Sequence, residues 1–129
     1  MALVINDRVK ENSTTSGTGD ITLAGVASGQ GNVTFNSGIG TSNTTYYCIF
    51  EQGTNTFEIG LGTLSGSTTL ERTTVINNSS GNTSKINFTG STLDVFVTMP
   101  AAKTVYLDAT GTPVGAASAG FALAMAVAL

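Results

Sequence analysis

Between Thr44 and Ile76 the chain reads TTYYCIFEQGTNTFEIGLGTLSGSTTLERTTVI. Three runs rich in β-branched and aromatic residues are separated by two glycine-containing turns, a pattern that predicts a local antiparallel meander. In the first run Tyr46, Cys48 and Phe50 alternate with Tyr47, Ile49 and Glu51; in the second, Phe57, Ile59 and Leu61 alternate with Glu58, Gly60 and Gly62. A pleated strand sends successive side chains to opposite faces, so the second run is expected to carry one apolar wall and one nearly bare face. A bare glycine face admits the close approach of another backbone or a second sheet, at a cost in strand propensity. The third run, Thr69–Ile76, suits a half-buried pleated surface. The meander reads as scaffold.

The chain of 129 residues is long enough for one domain with a real core and no staples. Only 10% of its residues are charged and its mean hydropathy is +0.21, a thin charge coat that points to large intersubunit contacts. A net charge of −3 and a pI near 4.5 argue against nucleic acid as a partner, because phosphate binding needs a basic stripe. Arg8, Lys10, Arg72, Lys85 and Lys103 are scattered instead. The lone Cys48 has no intrachain disulfide partner, and its alternation with Tyr46 and Phe50 predicts a buried apolar thiol. The chain contains no His, which excludes Ser-His-Asp and Cys-His catalysis and His-ligated metals within it. No cofactor is expected. Met1–Ile5 is too short for a secretory signal, and Asp7, Arg8, Lys10 and Glu11 follow at once.

Taken in order, Ala2–Ile5 is an apolar run closed by Asp7–Glu11, and Asn12–Gly19 is polar and turn-rich. Asp20–Gly25 predicts a strand with Ile21 and Leu23 on one face. Ala27–Asn32 predicts a turn, and Val33–Gly40, with Phe35 and Ile39 at i,i+4, one short helical turn. Asn77–Thr83 is a loop, Ile86–Phe88 opens a short strand, and Leu93–Met99 alternates until Pro100 ends it. Thr104–Asp108 is the last ordinary strand and Ala109–Pro113 a turn. The expected fold is a single all-β domain over residues 1–113, an antiparallel sandwich or partly closed barrel of about seven or eight short strands.

The composition changes after that. Residues 114–129 carry no charge, and Phe121, Leu123, Met125, Val127 and Leu129 alternate with alanines. Period two favours a strand or extended arm; the rival is an Ala-rich helix stacking Phe121, Met125 and Leu129. Sixteen residues fall short of the roughly 20 a membrane helix needs, so no membrane span is expected. Burying five large side chains yields about 1.5–3 kcal/mol each, and ordering the backbone costs about 1–2 kcal/mol per residue. The arm therefore orders only where it also gains ladder hydrogen bonds and a preformed groove, on its own domain or a neighbouring subunit. These five residues are the candidate assembly interface.

Glu51 and Glu58 flank the turn QGTN, and paired carboxylates serve glycoside hydrolysis. A solvated or Arg-paired surface role is the better reading, and the chain is not expected to be an enzyme. Glu71 beside Arg72, and the cluster Asp7, Arg8, Lys10 and Glu11, read as surface or interface ion pairs of small worth. Tyr46 and Tyr47 point to opposite faces, so at most one belongs to the core. The other, with Tyr106, suits a protein interface better than a sugar-stacking platform. GTGD and GIGT lack the lysine and helix of a phosphate loop.

Five segments in order, ALVINDRVKENSTTSGTGDITLAG (2–25), NTTYYCI (43–49), FEIGLGT (57–63), LERTTV (70–75) and LDVFVTMPAAK (93–103), resemble a small β-domain of tailed-bacteriophage virion proteins, found at the amino end of tail-fibre and other appendage proteins. Phe57 stands where that family more often carries Trp. The resemblance implies a non-enzymatic structural protein located in the virion and assembled in the host cytoplasm. Its partners would be copies of itself, as a homo-oligomer such as a trimer, and other proteins of the capsid or tail. No fibre region follows the domain here, which favours a capsid decoration or appendage-base adaptor. The alternative is a tail-associated domain that binds host glycan.

Overall fold

The computed structural model describes residues 1–115. Ten strands and one helical turn follow one another among them: β1 (Lys10–Ser13), β2 (Ser16–Gly17), β3 (Ile21–Thr22), α1 (Phe35–Gly38), β4 (Thr44–Glu51), β5 (Phe57–Gly66), β6 (Thr69–Asn78), β7 (Phe88–Thr89), β8 (Leu93–Val97), β9 (Tyr106–Leu107) and β10 (Pro113–Val114). A 3₁₀ turn spans Ala101–Lys103. The predicted meander is β4–β5–β6. The predicted helical turn is α1, capped by Thr34, whose hydroxyl accepts the Ser37 amide at 3.1 Å. The count exceeds the expected seven or eight strands because several pieces are only two residues long. The arm bearing Phe121, Leu123, Met125, Val127 and Leu129 lies outside the described residues.

Six strands form one antiparallel sheet in the order β1-β8-β4-β5-β6-β3. The sheet curls until its ends meet. Just past β3, the Ala24 amide donates to Asn12 O at 2.8 Å and the Asn12 amide to Gly25 O at 2.9 Å. The result is a nearly closed barrel, which leaves little free sheet edge. Three register shifts between β5 and β6 mark bulges that bend this pair. Val9, Ile21, Leu23, Phe35, Ile39, Tyr47, Ile49, Leu64, Leu70, Phe88, Leu93 and Val95 fill the interior.

β5 carries the expected apolar wall and bare face, and the structure decides which of them is inside. Glu58, Gly60 and Gly62 face the interior, while Phe57, Ile59 and Leu61 are half-buried on the outside. The space above the glycines is taken by an aromatic ring. A Cβ on Gly60 would lie 2.6 Å from the Tyr47 hydroxyl, and one on Gly62 would lie 2.9 Å from Tyr47 Cδ1. The two bare positions thus receive the Tyr47 ring of β4. The predicted buried thiol is corrected: β4 turns Cys48 outwards with Tyr46 and Phe50, opposite the inward Tyr47 and Ile49, so it is half-buried.

Charged residues expected at the surface are inside. Glu11, Glu51, Glu58 and Arg72 are each at most 2% exposed, and each carboxylate is matched by donors. Glu11 accepts the Gly25 amide at 3.0 Å and the Phe35 amide at 2.8 Å, tying β1 to the closing segment and to α1. This is why the charged stretch Lys10–Ser13 forms a strand with Glu11 and Ser13 turned inwards. Glu51 accepts the Thr89 amide and hydroxyl at 2.9 and 2.6 Å, holding β7.

Candidate functional site

Two groups of residues carry the candidate chemistry: the buried acids inside the barrel and the apolar outer wall. Inside, the Glu58 carboxylate forms an ion pair with Arg72, both side chains being shut off from solvent. Its Oε1 accepts from Arg72 Nε at 2.7 Å and from the Tyr47 hydroxyl at 2.8 Å, and its Oε2 from Arg72 Nη2 and from the Ile86 amide at 2.7 Å. The guanidinium also donates to the carbonyls of Ile86, Gly17 and Gly19 and lies 5.1 Å from the centre of the Phe88 ring. Burial, and then the Glu58 charge, push the Tyr47 phenol well above its ordinary range. A buried pair with this many partners meets the condition under which such pairs are tolerated.

The geometry separates the residues that the sequence sets side by side. Glu58 is committed to Arg72 and Glu51 to Thr89, and neither carboxylate reaches solvent, so in this arrangement both hold the scaffold. Glu71 and Arg72 turn to opposite faces of β6. Tyr47 belongs to the core, Tyr46 to the outer face, and Tyr106 is half-exposed on β9. The Tyr47–Glu58–Arg72 network was missed by sequence reasoning. Its one signal was an acid sharing a strand face with two glycines.

Outside, cross-strand pairing sets apolar side chains in rows. Phe96, Cys48 and Ile59 are consecutive partners on β8, β4 and β5; Phe50 pairs with Phe57, and Tyr46 with Leu61. All are half-buried, and such rows of aromatic and aliphatic pairs are the unit of sheet stabilisation. At the β1–β8 edge the wall ends in a polar rim, where Lys10 and Asp94 pair at 3.5 Å. At the β6 side it continues into a cleft of about 320 Å³ lined by Ile59, Ile76, Asn77, Pro100, Ala101 and Ala102. A second cleft of about 410 Å³ lies beside Glu11, Thr34 and Thr68, and there both Glu11 oxygens are already engaged by backbone amides.

Cys48 lies in the middle of the wall, and its partial burial pushes the thiol from an ordinary 9.0 up to about 11. The thiolate is the nucleophile, so at pH 8 iodoacetamide is expected to alkylate folded Cys48 roughly 100-fold more slowly than the urea-unfolded chain. Equal rates would mean that the thiol is freely hydrated. The sign of the linked stability follows. The unfolded thiol loses its proton first, so this contribution is complete below about pH 9 and is lost as pH rises through about 11.

Beyond the 3₁₀ turn, β9 and β10 form a separate hairpin. Asp108 closes its loop by accepting the Thr110 hydroxyl at 2.7 Å and the Thr110 and Thr112 amides at 2.9 Å each. The Thr110 hydroxyl foremost, then these amides, hold the Asp108 carboxyl below its ordinary range. Val105, Tyr106 and Leu107 are 61%, 50% and 66% exposed. Among the described residues no cluster of His, Cys, Asp and Glu is arranged to hold a metal ion, and no helix is long and apolar enough to cross a membrane. No family model, curated protein or solved structure matches this chain.

Proposed function

We propose that this chain is a non-enzymatic structural component of a tailed-phage virion, a capsid decoration or appendage-base adaptor that assembles through protein contacts. The observation that carries the reading is the wall of Tyr46, Cys48, Phe50, Phe57, Ile59, Leu61 and Phe96 on the outside of a barrel whose interior is already full. Contiguous apolar surface of this kind marks interaction sites, and with only 10% of residues charged the chain has a thin charge coat around it. The segments that resemble phage appendage domains supply the setting. The six acids and bases best placed for chemistry, Glu11, Glu51, Glu58, Arg72, Lys10 and Asp94, are spent on internal bonds or on a rim ion pair, which supports a scaffold role.

The test is quantitative mass spectrometry of purified virions of the encoding phage, scaled against the major capsid protein. A copy number comparable to the capsid protein assigns the decoration role, and a small fraction of it the tail or vertex adaptor. Absence from the particle overturns the virion role.

A further inference from the structure

The outer wall and the C-terminal hairpin are both unfinished surfaces. From their geometry we infer that the wall of one copy seats the β9–β10 hairpin and following segment of a second copy, in a head-to-tail contact; this rests on the assembly reading of the wall. A two-stranded hairpin is marginal on its own and needs a surface to lie on. Yet Val105 and Leu107 are more than half exposed and Tyr106 is half exposed, so the barrel of the same chain does not cover them. That exposure is what favours a neighbour's wall over the chain's own.

The remaining chain fits the same occupant. A Cβ on Gly115 would lie 2.6 Å from Thr104 O, so the chain leaves the hairpin at its base, close to where it entered. Fourteen residues (116–129) follow, without a charge, and Phe121, Leu123, Met125, Val127 and Leu129 fall at alternate positions. Extended, fourteen residues span up to about 46 Å, against a wall of three strands about 10–15 Å wide. Reach is therefore ample. No charged group of the segment has to be desolvated on Ile59, Cys48 and Phe96, whereas the Lys10–Asp94 rim marks where an apolar partner must stop. Two different patches of one molecule that fit each other make a heterologous contact, which closes into a ring when the rotation allows.

Sedimentation of the full chain at about 100 µM, far above the Kd of a micromolar contact, is expected to give a closed oligomer. Ile59→Glu on the wall and Leu107→Asp on the hairpin should each give a folded monomer, whose cooperative melting no longer depends on protein concentration. Leu107 is exposed enough that its change cannot unfold the barrel, and Ile76→Asp replaces Ile59→Glu should the latter misfold. Mixed in equal amounts, the wall variant and the hairpin variant should restore a dimer, because one intact wall and one intact hairpin remain between them. A monomeric wild-type chain overturns the inference. So does a mixture that stays monomeric, since the two surfaces then do not complement each other, and so does a dimer formed by either variant alone, which would mean that like surfaces pair with like. These outcomes separate from the virion role: a monomer abundant in particles removes this contact alone, and an oligomer absent from particles removes the virion role alone.

Discussion

Arg72→Met is expected to lower the folding free energy by about 3–5 kcal/mol, the usual penalty for stranding one member of a buried ion pair. In a urea titration this is a fall in midpoint of about 2 M at an m-value of about 2 kcal/mol/M. The substitution keeps much of the side-chain volume, so the loss is electrostatic. It leaves the Glu58 carboxylate fully buried with only the Tyr47 hydroxyl and the Ile86 amide as donors, and it frees the carbonyls of Gly17, Gly19 and Ile86. Glu58→Gln should cost less, because an amide keeps an acceptor for Tyr47 or Arg72 and leaves the cation with its carbonyl partners. The double variant Glu58→Met/Arg72→Met removes both charges. It should recover part of the loss but not all, since the Tyr47 hydroxyl and the Ile86 amide then lack acceptors. A single Arg72→Met loss below about 1 kcal/mol, typical of an exposed pair, would place Arg72 in contact with water.

Gly60→Ala is the second large expected effect, a loss of about 3 kcal/mol, at the upper end for overpacking a core. The added Cβ would lie 2.6 Å from both Thr74 O and the Tyr47 hydroxyl. The tyrosine can swing only by giving up its bond to Glu58, and the carbonyl belongs to the β5–β6 pair and cannot swing at all. Gly19→Ala is the control: its Cβ would meet nothing within 4 Å and its backbone needs no left-handed conformation, so it should change stability by less than about 0.5 kcal/mol. In a Tyr47→Leu background the ring clash is gone and the cost of Gly60→Ala should shrink, with the carbonyl contact remaining. Additive effects in this cycle would show that Tyr47 does not pack over Gly60.

These residues also mark how far the sequence could be read. Alternation across Thr44–Ile76 announced three antiparallel strands, and they form. Phe35 and Ile39 announced a helical turn, which forms, and Leu93–Met99 a strand, which forms over Leu93–Val97 and stops two residues short of the expected end before Pro100. Period two states that faces alternate, but it is silent about which face is inside. The interior took Glu58, Gly60 and Gly62, and the apolar Phe57, Ile59 and Leu61 stayed on the outer face. Likewise β1 was hidden in a charged stretch because the donors for Glu11 come from Gly25 and Phe35, 14 and 24 positions further on.

The sequence by itself therefore determined the all-β class, the meander, the turn chemistry and a chain too poor in charge to coat itself. The tertiary structure decided the rest: closure of the sheet through Asn12 and Ala24, the partner of Arg72, and the side of β5 that faces in. The physical reason is range. Strand period and turn propensity act over a few neighbouring residues, so they are visible locally. The inward face is decided by which arrangement fills the barrel and satisfies every buried charge. For Arg72 that meant Glu58, 14 residues away across a sheet, rather than the adjacent Glu71 on the opposite face. A strand that turns inwards to meet those demands leaves its larger apolar residues outside, and that outer wall is the surface left for a partner.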